Sequence, residues 1–332
     1  MRIAIVNDVM LAVEALRRVV VSLPGHEVAW VALNGEQAVE KCCSDKPDMI
    51  LMDLIMPVMD GVHATRKIMS TCPCPILVVT ATVEGNAAMV FEAMGHGALD
   101  AVCTPTLGPD GNVAGAAALV DKMRIVAMLG GKEPAGAYMA SQENSGKSLR
   151  IIALGASTGG PKALCDVLSV FPAQMDFAVA VVQHVDMHFA AGLAHWLNDQ
   201  VPPPVVLAEE NQSLRPGRVY VAGTNDHMVI DGHHRLHYTP HPRECPYRPS
   251  VDAFFNSLAR LGLKGGAAAL LTGMGKDGAA GLKALREAGW HTIAQDQASS
   301  VVYGMPRAAA ELDAAVEILD IGKVAPSLLQ HV

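Results

Sequence analysis

The chain has 332 residues, of which 51% are hydrophobic, 17% charged and 4% aromatic, and its formal net charge at pH 7 is −8. This length suits two domains, and the abundance of small apolar residues suits parallel sheets covered by helices on both faces. The negative charge, without a long Lys/Arg cluster, argues against nucleic acid as the main partner.

The seven cysteines are scattered along the chain and form no CxxC pair, which indicates reduced thiols in a cytoplasmic protein. The chain enters a strand-like run at Ile3, which leaves no room for a signal peptide. Because no uncharged apolar stretch reaches the length of about 18 residues that a membrane span needs, we expect no direct membrane insertion.

Short apolar runs alternate with helical patterns in the first part of the chain, which predicts a doubly wound parallel sheet of flavodoxin type. The predicted strands are Arg2–Val6, Glu27–Ala32, Met49–Met52, Ile76–Thr80 and Ala101–Cys103. The predicted helices are Leu11–Ser22, Gln37–Cys43, Val62–Ser70, Ala87–Met94 and Gly115–Leu129.

Residues 129–148 are rich in Gly, Ser and Ala, show no apolar period, and are typical of a linker. They separate predicted domains at 1–128 and 149–332, so the fold class is α/β with two doubly wound parallel-sheet domains. A turn signal at Asp231-Gly232 predicts a hairpin within the β-like stretch Arg218–Tyr238. The strands predicted in the second domain are Arg150–Leu154, Phe177–Val182, Val205–Leu207, Ala267–Leu271 and His291–Ala294.

An acidic site is predicted at the strand ends of the first domain. Asp53 follows Met49–Met52 within a Met-Asp-x-x-Met-Pro-x-Met-Asp-Gly string, Asp8 follows the first strand, and Thr80 ends the fourth. A lone Asp in such a place is usually a turn former, but these residues face one crevice. Two carboxylates there repel one another unless a cation such as Mg²⁺ lies between them, and a carboxylate beside Mg²⁺ can attack a phosphoryl donor.

These residues make the first part of the chain, to about residue 125, similar to a response-regulator receiver domain. The resemblance implies that Asp53 is the phosphorylated residue and, with Asp8, a ligand of Mg²⁺. It also implies that Thr80 contacts the phosphoryl group. The phosphodonor would be a histidine kinase of the CheA type.

The chain departs from the receiver pattern at three positions. Asn7 stands where the family usually has a second acidic residue, so Mg²⁺ should bind more weakly. Thr104, before Pro105, replaces a lysine and cannot offer an ammonium to the phosphate, a contact worth about 1.5–3 kcal/mol in typical cases. Ala101 occupies the usual aromatic switch position.

Three residues of the second domain follow predicted strands: Ser157, His184 and Asp277. Ser157 lies in a G-x-S-x-G turn, Gly155–Gly159, between a strand and a helix, where small neighbours let a serine hydroxyl project. An imidazole can take the proton of such a hydroxyl, and a carboxylate can fix the imidazole tautomer. The set predicts a Ser-His-Asp triad, although each residue alone could be a helix cap or a strand-end histidine.

Two other chemistries are conceivable for this domain. Gly155–Lys162 has the glycine spacing of a phosphate loop, but Pro161 occupies the lysine position, so nucleotide binding is disfavoured. His184, Asp186 and His188 alternate and could bind a metal on one face of an extended segment. Their spacing fits no familiar zinc motif, which leaves metal-assisted hydrolysis as a minor rival.

The segment from about Leu149 onward resembles the catalytic domain of the chemotaxis protein-glutamate methylesterases (CheB). The matching strings are GASTGGP at 155–161, Gln183-His184, RPSVD at 248–252, TGMGKDGAAG at 272–281 and Gly304-Met305-Pro306. The resemblance implies Ser157 as nucleophile, His184 as base and Asp277 as the residue that orients it. Thr158 and Met274 match residues that line the oxyanion site.

The resemblance implies a phosphorylation-regulated esterase. It would act on glutamate methyl esters, and deamidate glutamines, on the cytoplasmic part of a methyl-accepting chemoreceptor-like protein, thereby resetting receptor signalling. Ester hydrolysis would need no cofactor. The departures at Asn7 and Thr104 make the chain similar to the Wsp-type branch of the family, which serves surface sensing. The alternative is a non-catalytic adaptor that docks to receptors and acts as a phosphate sink through Asp53.

Overall fold

The computed structural model describes residues 1–81, 87–108, 113–127, 150–263 and 266–332. The chain divides into two compact units, Met1–Gly131 and Lys132–Val332. The predicted linker, 129–148, lies outside the described residues, as does the end of the helix predicted to reach Leu129. The domain limits 1–128 and 149–332 therefore stay predictions.

The first unit contains a five-stranded parallel sheet in the order β2-β1-β3-β4-β5. This order is that of flavodoxin-like folds and confirms the predicted sheet. The strands are β1 (Arg2–Val6), β2 (Glu27–Ala32), β3 (Met49–Met52), β4 (Ile76–Thr80) and β5 (Asp100–Cys103), followed by an antiparallel pair, β6 (Thr106–Leu107) and β7 (Val113–Ala114). The helices are α1 (Met10–Ser22), α2 (Gly35–Ser44), α3 (Gly61–Thr71), α4 (Ala87–Gly95) and α5 (Ala116–Ala127).

Local sequence explains where these elements begin. Every residue of β3 and β4 is buried, as expected for central strands of a parallel sheet. Asn34 caps α2 by accepting a hydrogen bond from the Gln37 amide at 2.9 Å, and Asp60 caps α3 by accepting one from the His63 amide at 2.8 Å. The second of these caps fixes the start of α3 soon after Asp53.

The second unit is built on a seven-stranded parallel sheet in the order β10-β12-β9-β8-β15-β16-β17, beside a three-stranded antiparallel sheet, β11-β14-β13. The strands are β8 (Ile151–Ala156), β9 (Ala178–Gln183), β10 (Val205–Leu207), β11 (Gln212–Ser213), β12 (Val219–Val221), β13 (His227–Ile230), β14 (Arg235–Thr239), β15 (Ala267–Leu270), β16 (His291–Gln295) and β17 (Glu317–Leu319). The helices are α6 (Gly160–Leu168), α7 (Met187–Gln200), α8 (Val251–Arg260), α9 (Ala279–Glu287), α10 (Met305–Glu311) and α11 (Ile321–Gln330).

The hairpin predicted within Arg218–Tyr238 is confirmed. It consists of β13 and β14, which flank the predicted turn at Asp231-Gly232. The strand at the start of this stretch, β12, instead joins the parallel sheet between β10 and β9, as an entirely buried apolar run. Asp231 stabilises the turn, since its Oδ1 accepts hydrogen bonds from the amides of His233 and Arg235 at 2.8 and 2.9 Å.

The centre of the large sheet is tightly packed against α8. The strands β8, β9 and β15 are fully buried. A Cβ on Gly155, in β8, would collide with the Val251 side chain and lie 3.1 Å from Leu270 Cδ1. Glycine at this position therefore lets the first turn of α8 approach the sheet.

Gly155→Ala should lower the free energy of unfolding of the second unit by about 1–3 kcal/mol, because an added methyl overpacks the contact with Val251. The measurement is the denaturant midpoint of the full chain. Gly232→Ala is the control, since a Cβ there meets no atom within 4 Å. Equal midpoints for the two variants would contradict the packing argument.

Candidate active site

The backbone of Ser157 is held from three sides at the end of β8. Its amide donates to the Thr272 carbonyl at 3.0 Å, and its carbonyl accepts from the Gly160 amide at 2.7 Å. The same carbonyl accepts from Gln183 Nε2 at 2.8 Å. The turn that carries the serine is thereby tied to the neighbouring strand β9 and to the loop after β15.

The glycines that follow Ser157 satisfy two steric demands. Gly159 precedes α6 with a φ of 76°, in the left-handed region that favours glycine. A Cβ on Gly160 would collide with the Gln183 side-chain oxygen. The small residues of the G-x-S-x-G-G run are therefore needed both for the turn and for the approach of Gln183.

The structure brings the His184 and Asp277 side chains into direct contact. His184 Nε2 lies 2.7 Å from Asp277 Oδ2, and the two side chains are 10% and 3% exposed. In the sheet, β8 lies between β9 and β15. His184 follows β9 and Asp277 follows β15, so the pair bridges the end of β8, the strand that leads to Ser157. The His184 amide also donates to the Ala156 carbonyl at 3.0 Å, which places His184 beside the serine turn.

The other nitrogen of His184 is available as a base. With the Nε2 hydrogen directed to Asp277, the neutral ring has its lone pair on Nδ1. This atom is buried and has no hydrogen-bond partner among the described residues. The described hydrogen bonds include none from Ser157 Oγ to the ring, and catalytic hydrogen bonds often form only when substrate is bound.

Tyr247 is a member of the site that the sequence analysis did not find. Its ring stacks on that of His184, with centroids 4.9 Å apart and planes at 6°. The stack restricts rotation of the imidazole. Its only sequence signal is its position directly before the matched string RPSVD, and nothing in that string shows that it meets His184.

Asp277 is anchored at the start of α8. Its Oδ1 accepts hydrogen bonds from Ser250 Oγ at 2.8 Å and from the Asp252 amide at 3.3 Å, and its Oδ2 accepts one from the Val251 amide at 2.6 Å. Burial opposes ionisation, but the His184 ring and these donors outweigh it and hold the pKa of Asp277 below its ordinary value. Asp277 is thus a buried carboxylate that stays ionised.

A second carboxylate, Asp252, lies beside Asp277 and links two helices. Its Oδ1 accepts from the Gly281 amide in α9 at 2.6 Å. Burial raises the pKa of Asp252 to about 6, and the negative charge of Asp277 adds to the rise. The first turn of α8 therefore joins α9 on one side and the His184–Asp277 pair on the other.

Thr158 and Met274, predicted to line the oxyanion site, both flank Ser157. Thr158 is buried, and its carbonyl accepts from Thr272 Oγ1 at 3.0 Å. Met274 follows Gly273, where a Cβ would lie 2.7 Å from Ser157 Cβ. The loop after β15 thus lies against the serine, and the oxyanion role of the two residues stays a prediction.

The residues of the metal alternative have other hydrogen-bond partners in the structure. Asp186 caps α7 by accepting from the His188 amide at 3.0 Å, and its Oδ1 also lies 2.5 Å from His188 Nδ1. His184 is paired with Asp277 instead. Within the described ranges of the chain, no group of three or more His, Cys, Asp or Glu side chains is arranged to hold a metal ion.

In the first unit, Asp53 occupies the predicted place at the end of β3. Its amide donates to the Val6 carbonyl at 2.9 Å, and its Oδ1 accepts from the Leu54 amide at 2.7 Å. Burial raises the pKa of Asp53 to about 6 although the amides of Leu54 and Ile55 oppose the rise, and the charge of the exposed Asp8 adds to it. Two mutually repelling carboxylates fit Mg²⁺, which binds one or two protein carboxylates and keeps several waters.

Residues next to this acidic site are neutral. Thr80 is buried at the end of β4, and its carbonyl accepts from the Thr104 amide at 2.9 Å. Asn7 uses Oδ1 to accept from the Val9 amide at 2.8 Å. Thr104 Oγ1 is buried and has no hydrogen-bond partner in the described part of the chain. At two of the three departures from the receiver pattern, charged groups are thus replaced by neutral ones. Asn7 supplies an amide that holds the loop, and Thr104 supplies a hydroxyl.

Comparison with known proteins decides the family. Residues 152–328 match the CheB methylesterase family, and residues 3–106 match the response regulator receiver domain. The chain belongs to the CheB methylesterase family. Both resemblances inferred from the motifs are confirmed.

Relatives of this CheB-family chain match it over almost its whole length. It is 50% identical over 332 residues to protein-glutamate methylesterase/protein-glutamine glutaminase 3 of Pseudomonas aeruginosa, with 99% of each chain covered. It is 51% identical over 329 residues to protein-glutamate methylesterase/protein-glutamine glutaminase 1 of Bordetella avium, with 99% of this chain and 96% of that protein covered.

A solved structure supports the fold of the second unit. The Thermotoga maritima CheB methylesterase catalytic domain has a TM-score of 0.54 and 31% identity, covering 56% of this chain and all of that domain. None of the helices that the structure describes here combines the length and apolar character needed for a bilayer crossing.

Ser250→Ala should raise the pKa of Asp277, because the carboxylate loses the hydroxyl donor at 2.8 Å. A depressed carboxyl pKa adds stability above the ordinary value of 3.8, and that stability is lost as pH falls through the folded-state pKa. Acid unfolding of the variant should therefore begin at higher pH. Carboxyl ¹³C NMR titration of Asp277 measures the shift directly.

Asp320→Ala is the matched control for this variant. It removes the side-chain cap of α11, where Asp320 Oδ1 accepts from the Gly322 amide at 3.0 Å. Ser250 is likewise the side-chain cap of α8, where its Oγ accepts from the Ala253 amide at 3.2 Å. Loss of a cap costs about 1 kcal/mol in either variant, but only Ser250→Ala should move the titration of Asp277. An unchanged Asp277 titration in Ser250→Ala would contradict the anchoring role of Ser250.

Proposed function

We propose that this chain hydrolyses glutamate γ-methyl esters on the cytoplasmic helices of a methyl-accepting chemoreceptor-like protein. The reaction releases methanol and restores a receptor carboxylate; the corresponding reaction on receptor glutamines releases ammonia. The observation that carries the proposal is the buried His184–Asp277 pair, 2.7 Å apart, across the end of the strand that leads to Ser157. The names of the full-length relatives agree with this chemistry.

In the proposed mechanism, Ser157 Oγ attacks the ester carbonyl while His184 Nδ1 takes the hydroxyl proton of Ser157. Nδ1 is buried and, in the part of the chain that the structure describes, has no hydrogen-bond partner, which keeps its lone pair ready for this transfer. Asp277 holds the Nε2 hydrogen and stabilises the imidazolium that forms. Because the pKa of Asp277 is held below its ordinary value, the carboxylate is charged throughout.

The tetrahedral intermediate then collapses to an acyl-enzyme. His184 returns its proton to the leaving methoxide, which departs as methanol, and a water molecule attacks the acyl group by the same route. Donors around Thr158 and Met274, on the two loops that flank Ser157, would stabilise the oxyanion. Apart from this water, hydrolysis in this scheme uses only side chains and backbone of the chain.

We further propose that phosphorylation of Asp53 regulates the esterase, with a histidine kinase of the CheA type as donor. Asp8 and Asp53 would hold Mg²⁺, which offsets the negative charge of the incoming phosphoryl group. Thr80 would contact that group once it is attached. With Asn7 and Thr104 neutral, the acidic site offers fewer charges to the phosphate than the usual receiver pattern, and assignment to the Wsp-type branch stays a prediction.

Ser157→Ala should abolish methanol release from a methylated receptor fragment, because no other side chain supplies the nucleophile. Loss of an essential triad member typically costs a factor of about 10⁴ or more in kcat. Ser169→Ala, at the exposed end of α6, is the control and should retain activity. Undiminished turnover by Ser157→Ala would remove the triad assignment. Absence of activity in the wild type on all methylated receptors would favour the adaptor alternative.

Asp53→Asn should eliminate the stimulation of methanol release by a small phosphodonor with Mg²⁺, because the amide cannot act as the acceptor. Basal release should persist, since Asp53 belongs to the first unit and not to the triad. Asp48→Asn, whose carboxylate accepts from the Arg2 amide at 2.7 Å before β3, controls for a general loss of charge. Stimulation that survives in Asp53→Asn would show that the phosphoryl group is accepted elsewhere.

A further inference from the structure

A cluster of thiols in the first unit has no part in the proposed esterase or phosphorylation chemistry. Four of the seven cysteines, Cys42, Cys43, Cys72 and Cys74, lie at the end of α2 and just after α3. In this cluster, Cys43 Sγ donates to Cys72 Sγ at 2.8 Å. Cys43 is exposed and Cys72 is half-buried, so a small oxidant in solution can reach this pair.

The two thiols of the pair differ in acidity. The pKa of Cys72 is lowered because hydrogen bonds from Cys43 and Thr71 and the nearby charge of Lys46 outweigh its partial burial. The pKa of Cys43 is raised, since its thiol donates to Cys72. Cys72 is therefore the better nucleophile, because the thiolate is the reactive form of cysteine.

The other two thiols of the cluster are buried and donate hydrogen bonds to backbone carbonyl groups. Cys42 Sγ donates to the Cys72 carbonyl at 3.6 Å, and Cys74 Sγ donates to the Pro47 carbonyl at 3.3 Å. Burial raises the pKa of Cys42 strongly and that of Cys74 to about 11. Both stay protonated at neutral pH and should be inert, which confines the chemistry to Cys43 and Cys72.

We propose that Cys43 and Cys72 are a peroxide-reactive modification site, at which hydrogen peroxide or an organic hydroperoxide forms a reversible disulfide in the receiver domain. Cys72 thiolate attacks the terminal peroxide oxygen, so that an S–O bond forms and the O–O bond breaks; hydroxide from hydrogen peroxide takes up a proton and leaves as water, and alkoxide from an organic hydroperoxide takes up a proton and leaves as an alcohol. Cys43 sulfur then attacks Cys72 sulfur, the S–S bond forms, and the sulfenic hydroxyl leaves as water. The two thiols lose two electrons and two protons, and one peroxide is reduced.

The geometry favours the second step over release of a stable sulfenic acid. A disulfide bond is about 2.05 Å long, so the sulfurs need to move together by only roughly 0.8 Å from their separation of 2.8 Å. No metal-binding group of three or more ligands is present in the portion of the chain described, this cluster included. The bond would tie the last turn of α2 to the segment that leads into β4.

The test uses the full chain, reduced, freed of reductant and treated with hydrogen peroxide, then alkylated and digested without reduction for mass spectrometry. The expected product is one cross-link between the peptide of Cys43 and that of Cys72, two hydrogen atoms lighter than the two peptides together and lost on treatment with a dithiol. Cys103, exposed at the end of β5 and outside the cluster, is the internal reference.

Serine variants identify the sulfurs. The cross-link should be lost in Cys43→Ser and Cys72→Ser and retained in Cys42→Ser and Cys74→Ser. A sulfenic-acid trap should label Cys72 in Cys43→Ser, and should leave Cys43 unlabelled in Cys72→Ser. Persistence of the cross-link in Cys43→Ser would overturn the proposal. Oxidation of Cys43 and Cys72 in the wild type at the rate of Cys103, without formation of the cross-link, would also overturn the proposal.

Discussion

The catalytic unit depends on keeping one buried carboxylate charged. Asp277 is 4% exposed, and an isolated charge so placed would be strongly destabilising. Its oxygens are satisfied by the His184 ring, the Ser250 hydroxyl and two amides of the first turn of α8. Because α8 can approach only where β8 carries a glycine, the packing of the sheet and the orientation of the imidazole are parts of one arrangement.

Elements governed by local pattern could be predicted from the sequence. Strands such as β3 and β8 are continuous apolar runs, and their order follows from the βα alternation. The place of β12 could not be predicted, because a three-residue apolar run does not show which sheet it joins. The residues of the proposed triad could be selected from the sequence because Gly-rich turns mark the strand ends, and because the motif strings match a family.

The partners that hold the triad were missed for a physical reason. Ser250, for example, lies 27 residues from Asp277. Such contacts depend on tertiary packing, and a serine before an apolar run indicates only a helix cap. Gln183 was noted as part of a matched string, yet its hydrogen bond to the Ser157 carbonyl could be seen only in the folded chain.

The ring of Tyr247, stacked on His184 at 4.9 Å, has a consequence for the energetics of turnover. When the imidazole carries two protons, it becomes a cation against an aromatic face, an attraction worth about 0.5–2 kcal/mol. A neutral imidazole gains little from this electrostatic contribution. In the proposed mechanism, Tyr247 would therefore stabilise the imidazolium that forms as Ser157 attacks, in addition to restraining the ring.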